Sequence, residues 1–300
     1  MPTPTDLPAD LPTRLNLGCG FDKRDGYLNV DFQDFHDPDL VADVRDLAAL
    51  PDGHFSEVMA IDVLEHMERT ETAKALAEWH RVLAPGGTLR LQVPDVLAVG
   101  QLLQERDSYE EHELFIHHLY GTQAYTGDFH LAGFTDRLMI ELLLDAGFDH
   151  IRTHCEHQWL LVVDAGKSAV TRAEREPLAM GFGRGTYPAE DDGAGGRYRW
   201  CEADASVLLD NVTEHAVTVD LTLGLAGHFD RTKVPFRLDG LGPARTMTLG
   251  ATPAMIRERL VLDPGGVRLR LRSDGARVEA PGDLRQLYFR LTELTVTPLA

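Results

Sequence analysis

The chain has 300 residues, a length that favours two domains, and with 43% hydrophobic and 26% charged residues each half can bury a core, which excludes a disordered or collagen-like chain. The net charge of −19 lies almost wholly in the first half: residues 1–170 hold 12 Lys and Arg against 30 Asp and Glu, whereas residues 171–300 hold 17 against 18. So acidic a surface repels phosphate backbones, and nucleic acid is not an expected partner.

In chain order, the first 170 residues alternate short β-branched runs with helical patterns, as a parallel sheet covered by helices does. Seven strands are predicted, at residues 14–18, 27–32, 39–43, 57–63, 88–94, 150–155 and 159–165. The segment TETAKALAEWHRVLA predicts a helix capped by Thr70, with Leu76, Trp79, Val82 and Leu83 on its apolar stripe and Pro85-Gly86-Gly87 ending it. A second helix is predicted from Thr135 to Ala146, stopping at Gly147. Residues 21–27 are too few for a helical crossover, so the first connection is expected to be a loop or a single helical turn. Residues 166–198 are rich in Gly, Pro and charge, and 171–198 is read as a linker and irregular lead-in. From 199 to 300 alternating runs separated by Gly, Asp and Pro turns predict an antiparallel sandwich of roughly seven or eight strands, with PAMIRER as the one short helix candidate.

No apolar run approaches the roughly 18 residues of a membrane-spanning helix, and MPTPTDLPADLP lacks the basic start and apolar stretch of a secretory signal. Cys19, Cys155 and Cys201 are widely spaced with no CxxC, which suits a reducing compartment. The expectation is a soluble cytoplasmic protein, its oligomeric state left open.

LNLGCG, residues 15–20, is a strand running into a Gly-x-Gly turn, where missing side chains let a ligand approach the backbone. Asp31 ends the next strand, placed to accept ribose hydroxyls. Asp43 ends the third, where its carboxylate and the Val44 N–H can read an adenine edge, and Asp62 follows the fourth. A nicotinamide fingerprint needs a third glycine and an acid roughly 20 residues on, but the loop reads GCGFDK and Asp31 lies 11 residues past Gly20, which disfavours a dehydrogenase.

The succession LNLGCG, NVD, ADV, LPDGHFSEVMAIDVLEH and RVLAPGGTLRL closely resembles class I S-adenosylmethionine-dependent methyltransferases over residues 12–167. The resemblance implies a doubly wound α/β, Rossmann-like seven-stranded sheet binding S-adenosylmethionine. It places Gly18 and Gly20, with Cys19 between them, at the methionine part, Asp31 at the ribose, Asp43 and Val44 at adenine with Asp46 and Leu47 as substitutes, and Asp62 at the cofactor's amino-acid end.

Methyl transfer is a displacement that alignment can largely drive, and a base helps when the acceptor is a neutral hydroxyl. The candidates are His66 after the fourth strand, Asp95 after the fifth, and His130 in the inserted segment 110–134. For His66 the competing reading is a local hydrogen bond, and for Asp95 the cap of a helix starting at Val96. His118, Tyr120, Gln123 and Tyr125 are the candidate acceptor contacts, against a solvated lid as the plainer reading. Adjacent His117 and His118 cannot share one helical face, so no metal is expected. The second domain loosely resembles carbohydrate modules through Tyr187, Glu190, Arg199 and Trp200, which read either as a sugar platform or as a core tryptophan beside an Arg199–Glu190 ion pair. The leading function is O-methylation of a saccharide or glycoconjugate precursor. The rivals are N- or O-methylation of a small natural product and a catalytically silent cofactor-binding scaffold.

Overall fold

The computed structural model describes residues 7, 10–125, 127–168, 177–193, 195–229, 232–280 and 282–299. These fall into two compact units, the first drawn from residues 1–153 and 159–176, the second from 154–158 and 177–300.

The first unit carries strands β1 (Arg14–Leu17), β2 (Leu28–Asp31), β3 (Leu40–Val41), β4 (Phe55–Ile61), β5 (Leu83–Pro94), β6 (Asp149–Glu156, of which residues 149–153 belong to this unit) and β7 (Leu160–Gly166) in the order β3-β2-β1-β4-β5-β7-β6. β1 pairs in parallel with β2 and β4, as do β2 with β3 and β4 with β5, while β5 and β7 are antiparallel. Leu15, Leu17, Leu28, Val30, Val58, Leu89, Leu91 and Val163 are fully buried, as strands covered on both faces must be. The order reverses between β1 and β4, and a ligand site is expected outside the carboxyl ends of strands at such a point. The first connection is a run of turns, Asp22 N–H bonding to Cys19 O and Tyr27 N–H to Arg24 O.

Helix α1 (Thr72–Val82) buries Ala75, Leu76, Trp79 and Val82, but both of its predicted ends are corrected. Thr70 is not its cap: the Glu71 N–H closes a turn onto Glu68 O at 2.8 Å, leaving Thr70 inside that turn, and Glu71 occupies the cap position without a side-chain bond. Pro85-Gly86-Gly87 does not end it either, because the chain passes straight into β5 at Leu83. The Lys167 ammonium instead donates to His80 O (2.6 Å) and Leu83 O (2.7 Å), a cation on the helix's orphan carbonyls. Helices α2 (Val96–Glu105) and α3 (Tyr109–Tyr120) pair with each other, and α4 (Asp136–Ala146) packs on α1, capped by Thr135 and stopped at a left-handed Gly147.

The second unit holds β8 (Leu178–Phe182), β9 (Thr186–Asp191), β10 (Arg197–Cys201), β11 (Asp204–Asn211), β12 (Val217–Ala226), β13 (Val234–Asp239), β14 (Arg245–Leu249), β15 (Ala254–Leu262), β16 (Val267–Arg272) and β17 (Phe289–Pro298). They form two antiparallel sheets, β14-β13-β16-β11-β8 and β15-β12-β17-β10-β9, sharing a core of Val207, Leu209, Leu221, Leu223, Phe236, Leu271 and Phe289. Ten strands thus stand among the described residues of this unit. The additions are 178–182 and 186–191, inside the stretch 171–198 read as a linker and irregular lead-in, and 197–201, which straddles its end; residues 171–176 and 194 of that stretch lie outside the described residues. PAMIRER is strand as well, because β15 pairs with β12 from Ala254 to Leu262 and that ladder overrides a seven-residue helical pattern.

Candidate cofactor site and acceptor face

The carboxyl ends of β1, β2 and β4 open onto a cavity of about 450 Å³, a size ordinary for a small-molecule site, lined by Gly18, Gly20, Asp31, Asp43, Val44 and Asp62 together with Phe21, Phe32, Gln33, His36, Arg45, Val63, His66, Met67, Tyr125 and Gly127. Gly18 sits at φ +61°, and a Cβ there would stand 2.5 Å from Val63 Cγ2; Gly20, at φ +48°, has nothing within 4 Å of where its Cβ would be. The first glycine lets the loop close on β4, and the second leaves its backbone open to a ligand. Asp31 braces this loop. Its Oδ2 accepts the Gly20 N–H at 2.8 Å, and its Oδ1 accepts the Gln33 N–H at 2.8 Å and lies 3.0 Å from His36 Nδ1.

The Asp43–Val44 turn is held from α1. Buried Trp79 donates from Nε1 to Val44 O at 2.9 Å, Glu78 Oε2 accepts the Leu47 N–H at 2.9 Å, and Arg81 Nη2 donates to Leu47 O at 2.8 Å. Asp43 is bidentate with Arg45, whose hydrogen bonds hold the carboxyl below its ordinary range. Asp62 adopts φ +54°, a left-handed conformation Asp tolerates better than most side chains, while its N–H reaches Gln92 O and its Oδ1 accepts from Gln92 Nε2 at 3.1 Å.

Beyond Asp62 a short 3₁₀ turn, Leu64–His66, meets the segment leading to α4: Glu65 O accepts the N–H groups of Leu131 (2.7 Å) and Ala132 (3.1 Å). His66 Nδ1 bonds to Phe129 O at 3.2 Å, His130 Nδ1 bonds to His118 O at 3.0 Å, and the two rings stand edge to face at 4.8 Å. Burial, then the neighbouring His66, holds the His130 imidazolium below its ordinary range. Burial, then the Asp62 charge, raises the Glu65 carboxyl well above its own.

Residues 15–91 match a family described as a methyltransferase domain. The first unit carries a methyltransferase domain. S-adenosylmethionine is the cofactor such a domain uses. No curated protein matches the chain. Among solved structures it is similar to a possible exported protein from Bordetella parapertussis (13% identity, 53% of this chain and 63% of that one, TM-score 0.42). It is also similar to a possible histamine N-methyltransferase from Thermotoga maritima (15%, 56% and 84%, 0.37) and to an S-adenosylmethionine-dependent methyltransferase from Methanosarcina mazei (18%, 52% and 92%, 0.37). The chain spans less than two thirds of the Bordetella protein's length.

The cavity of the methyltransferase domain suits that cofactor. Gly20 leaves an uncovered backbone, and Asp31 Oδ2, with one hydrogen bond made, keeps a lone pair for a ribose hydroxyl. Of the residues singled out in sequence, Gly18, Gly20, Asp31, Asp43, Val44, Asp62, His66 and Tyr125 line the cavity. Cys19 does not: its thiol is buried and pushed up to about 11 by burial and the Asp31 charge, while its N–H bonds to Val30 O. Asp95 is buried as the cap of α2, accepting the N–H groups of Leu97 (2.9 Å) and Ala98 (3.2 Å). His118 stacks on Trp159 with centroids 3.5 Å apart, Tyr120 is exposed, and Gln123 donates to Tyr120 O. Neither these three nor Asp46 and Leu47 line the cavity, and His130 does not line it either, although its ring stands against that of His66. Sequence reasoning missed Phe32, Gln33, His36 and Arg45, all within five residues of a singled-out acid.

In the second unit Trp200 is 5% exposed, edge-on to Tyr198 and Phe229, and so is core rather than platform. Glu190 pairs with Arg285 and accepts from Tyr198, whereas Arg199 lies over the Phe182 ring and donates to Tyr187 O. A separate cavity of about 510 Å³ is lined by Glu156, His157, Gln158, Tyr187, Glu202 and Arg285 among others.

Proposed function

We propose that this chain is an enzyme that transfers a methyl group from S-adenosylmethionine to a hydroxyl of a saccharide or glycoconjugate precursor. The observation that carries the reading is one cavity in which the glycine loop, Asp31 and the Asp43–Val44 turn run on through Asp62 to His66 and Tyr125. S-adenosylmethionine supplies an activated methyl group. Gly18, Gly20, Asp31, Val44 and Asp62 hold the cofactor, and alignment of the acceptor oxygen does much of the catalytic work. With its Nδ1–H directed at Phe129 O, His66 keeps an Nε2 lone pair to take the acceptor's proton, and His130 stands beside it. Tyr125 offers an aromatic face with a hydroxyl, which suits a sugar.

Residues 1–170 are assigned the methyl transfer and 199–300, with the lead-in 171–198, a glycan-contacting role. The polar cavity around Tyr187, Glu202 and Arg285 offers donors and acceptors for sugar hydroxyls. The proposed compartment is the cytoplasm, where Cys19, Cys155 and Cys201 persist as buried thiols. Among the described residues no helix is long and apolar enough to cross a membrane.

The test is transfer of isotopically labelled methyl to a panel of sugar nucleotides, glycan fragments and amines. Label on a sugar oxygen supports the proposal. Label on amines alone overturns the acceptor class in favour of a natural-product N-methyltransferase, a rival favoured by the acidic lining of Asp31, Asp43 and Asp62. Tight S-adenosylhomocysteine binding with no transfer across the panel favours the scaffold reading.

A further inference from the structure

Glu65 is 1% exposed, and neither of its carboxylate oxygens has a hydrogen-bond partner. A carboxyl buried in this way is costly unless something else satisfies it. The same 3₁₀ turn presents His66, and the segment whose N–H groups bond to Glu65 O presents His130. A carbonyl oxygen only accepts, so the contacts to Phe129 O (3.2 Å) and His118 O (3.0 Å) put the proton of each imidazole on Nδ1 and leave a lone pair on each Nε2. An imidazole pinned through one N–H to a backbone carbonyl is the form in which histidine ligates metals. One donor atom from each of the three side chains falls within 4.8 Å of the others.

We propose that Glu65, His66 and His130 form a binding site for a divalent cation of the zinc class, held by a carboxylate oxygen and the two Nε2 atoms. Two imidazoles and one carboxylate suit zinc and its first-row neighbours better than magnesium or calcium, which prefer oxygen throughout. Bonds of about 2.0–2.2 Å set tetrahedral ligands roughly 3.4 Å apart, so the three side chains draw together around the ion. Three protein ligands leave one position open beside the cavity that His66 lines.

Ion binding would fasten the 128–132 segment to the end of β4 at a second point, beside the Glu65 O bonds to Leu131 and Ala132. The pair that argued against metal in the sequence is not used, since His117 is exposed and His118 stacks on Trp159. Ion and proton compete for the same Nε2 lone pairs, so His66 acts as a base in the metal-free chain and as a ligand when the ion is held. The site itself does not depend on what the enzyme methylates.

The test titrates the full chain, stripped with chelator and dialysed, with cobalt(II) by visible absorption and with zinc(II) by calorimetry. The expected result is one saturable equivalent, with affinity lowered at least tenfold by Glu65→Gln and by His130→Asn and unchanged by His117→Ala. Calorimetry with S-adenosylhomocysteine on each variant establishes that the cofactor pocket is folded. His66→Gln replaces any variant that fails this control. No saturable ion binding by the wild-type chain overturns the proposal, as does wild-type affinity in both ligand variants. Loss of ion binding alone leaves the methyltransferase reading intact, whereas failure of the wild type to bind S-adenosylhomocysteine removes that reading and not this one.

Discussion

Asp31 holds the Gly20 N–H at 2.8 Å from across 11 residues of chain, so the acid expected to hold a ribose also fixes the loop beneath it. With Gln33 N–H and His36 also on Oδ1, the carboxylate has committed most of its acceptor capacity to the protein. Asp31→Ala therefore removes both a cofactor contact and the brace. Hydrogen bonds to a charged group are worth roughly 1.5–3 kcal/mol each, so S-adenosylhomocysteine should bind at least about tenfold more weakly. Asp31→Asn, which keeps one acceptor oxygen, should lose less. Calorimetry on the folded variants checks both, and an unchanged Kd for Asp31→Ala would remove the ribose assignment.

Asp95 caps α2, and its two substitutions separate capping from catalysis. Asn accepts hydrogen bonds at a cap as Asp does, so Asp95→Asn should leave stability and turnover nearly as they are. Asp95→Ala should cost about 0.5–2 kcal/mol of stability in urea unfolding. If turnover fell about 10²-fold or more in the Asn variant with stability preserved, Asp95 would be a base after all.

The acids at the ends of β2, β3 and β4 were legible because strand periodicity places a strand's last residue, and a Gly-x-Gly turn marks which end of the sheet binds. What stayed hidden depends on residues far apart in sequence. Trp79 finds Val44 O from 35 residues away, and the Lys167 cap on α1 comes from 87. Helix α3 reads YEEHELFIHHLY and buries only Phe115, so its apolar stripe is too thin to announce a helix. β8 and β9 carry Gly181 and Pro188, residues that read as breaks until a neighbouring strand supplies the ladder, and Glu65 gave no signal because its burial arises from the 3₁₀ turn after β4.

Trp79→Phe deletes the Nε1–H donor together with part of the buried ring system, leaving Val44 O without that partner and a small void beside it. An unsatisfied buried acceptor costs about 1–3 kcal/mol. The variant should lose at least that much stability in urea unfolding, and S-adenosylhomocysteine affinity should fall because the Asp43–Val44 turn loses its anchor. A variant with reduced stability but wild-type affinity would show that the bond serves the core alone.

His118 lies against Trp159 with the rings 12° from parallel, and burial, then the nearby His117 and His130, lowers its pKa below the ordinary 6.5. The folded chain therefore favours the neutral imidazole, while the unfolded chain takes up a proton near 6.5. The sign follows: this contribution to stability is complete above about pH 6.5 and is lost as the pH falls through the lower folded-state value. His118→Phe keeps the stacked ring and cannot be protonated. Between pH 7.5 and 5.5 the drop in thermal unfolding temperature should be smaller in His118→Phe than in the wild type, though not abolished, since His130 is shifted in the same direction. An equal drop in both proteins would mean that His118 titrates alike in the folded and unfolded chains, and the acid sensitivity would then belong elsewhere.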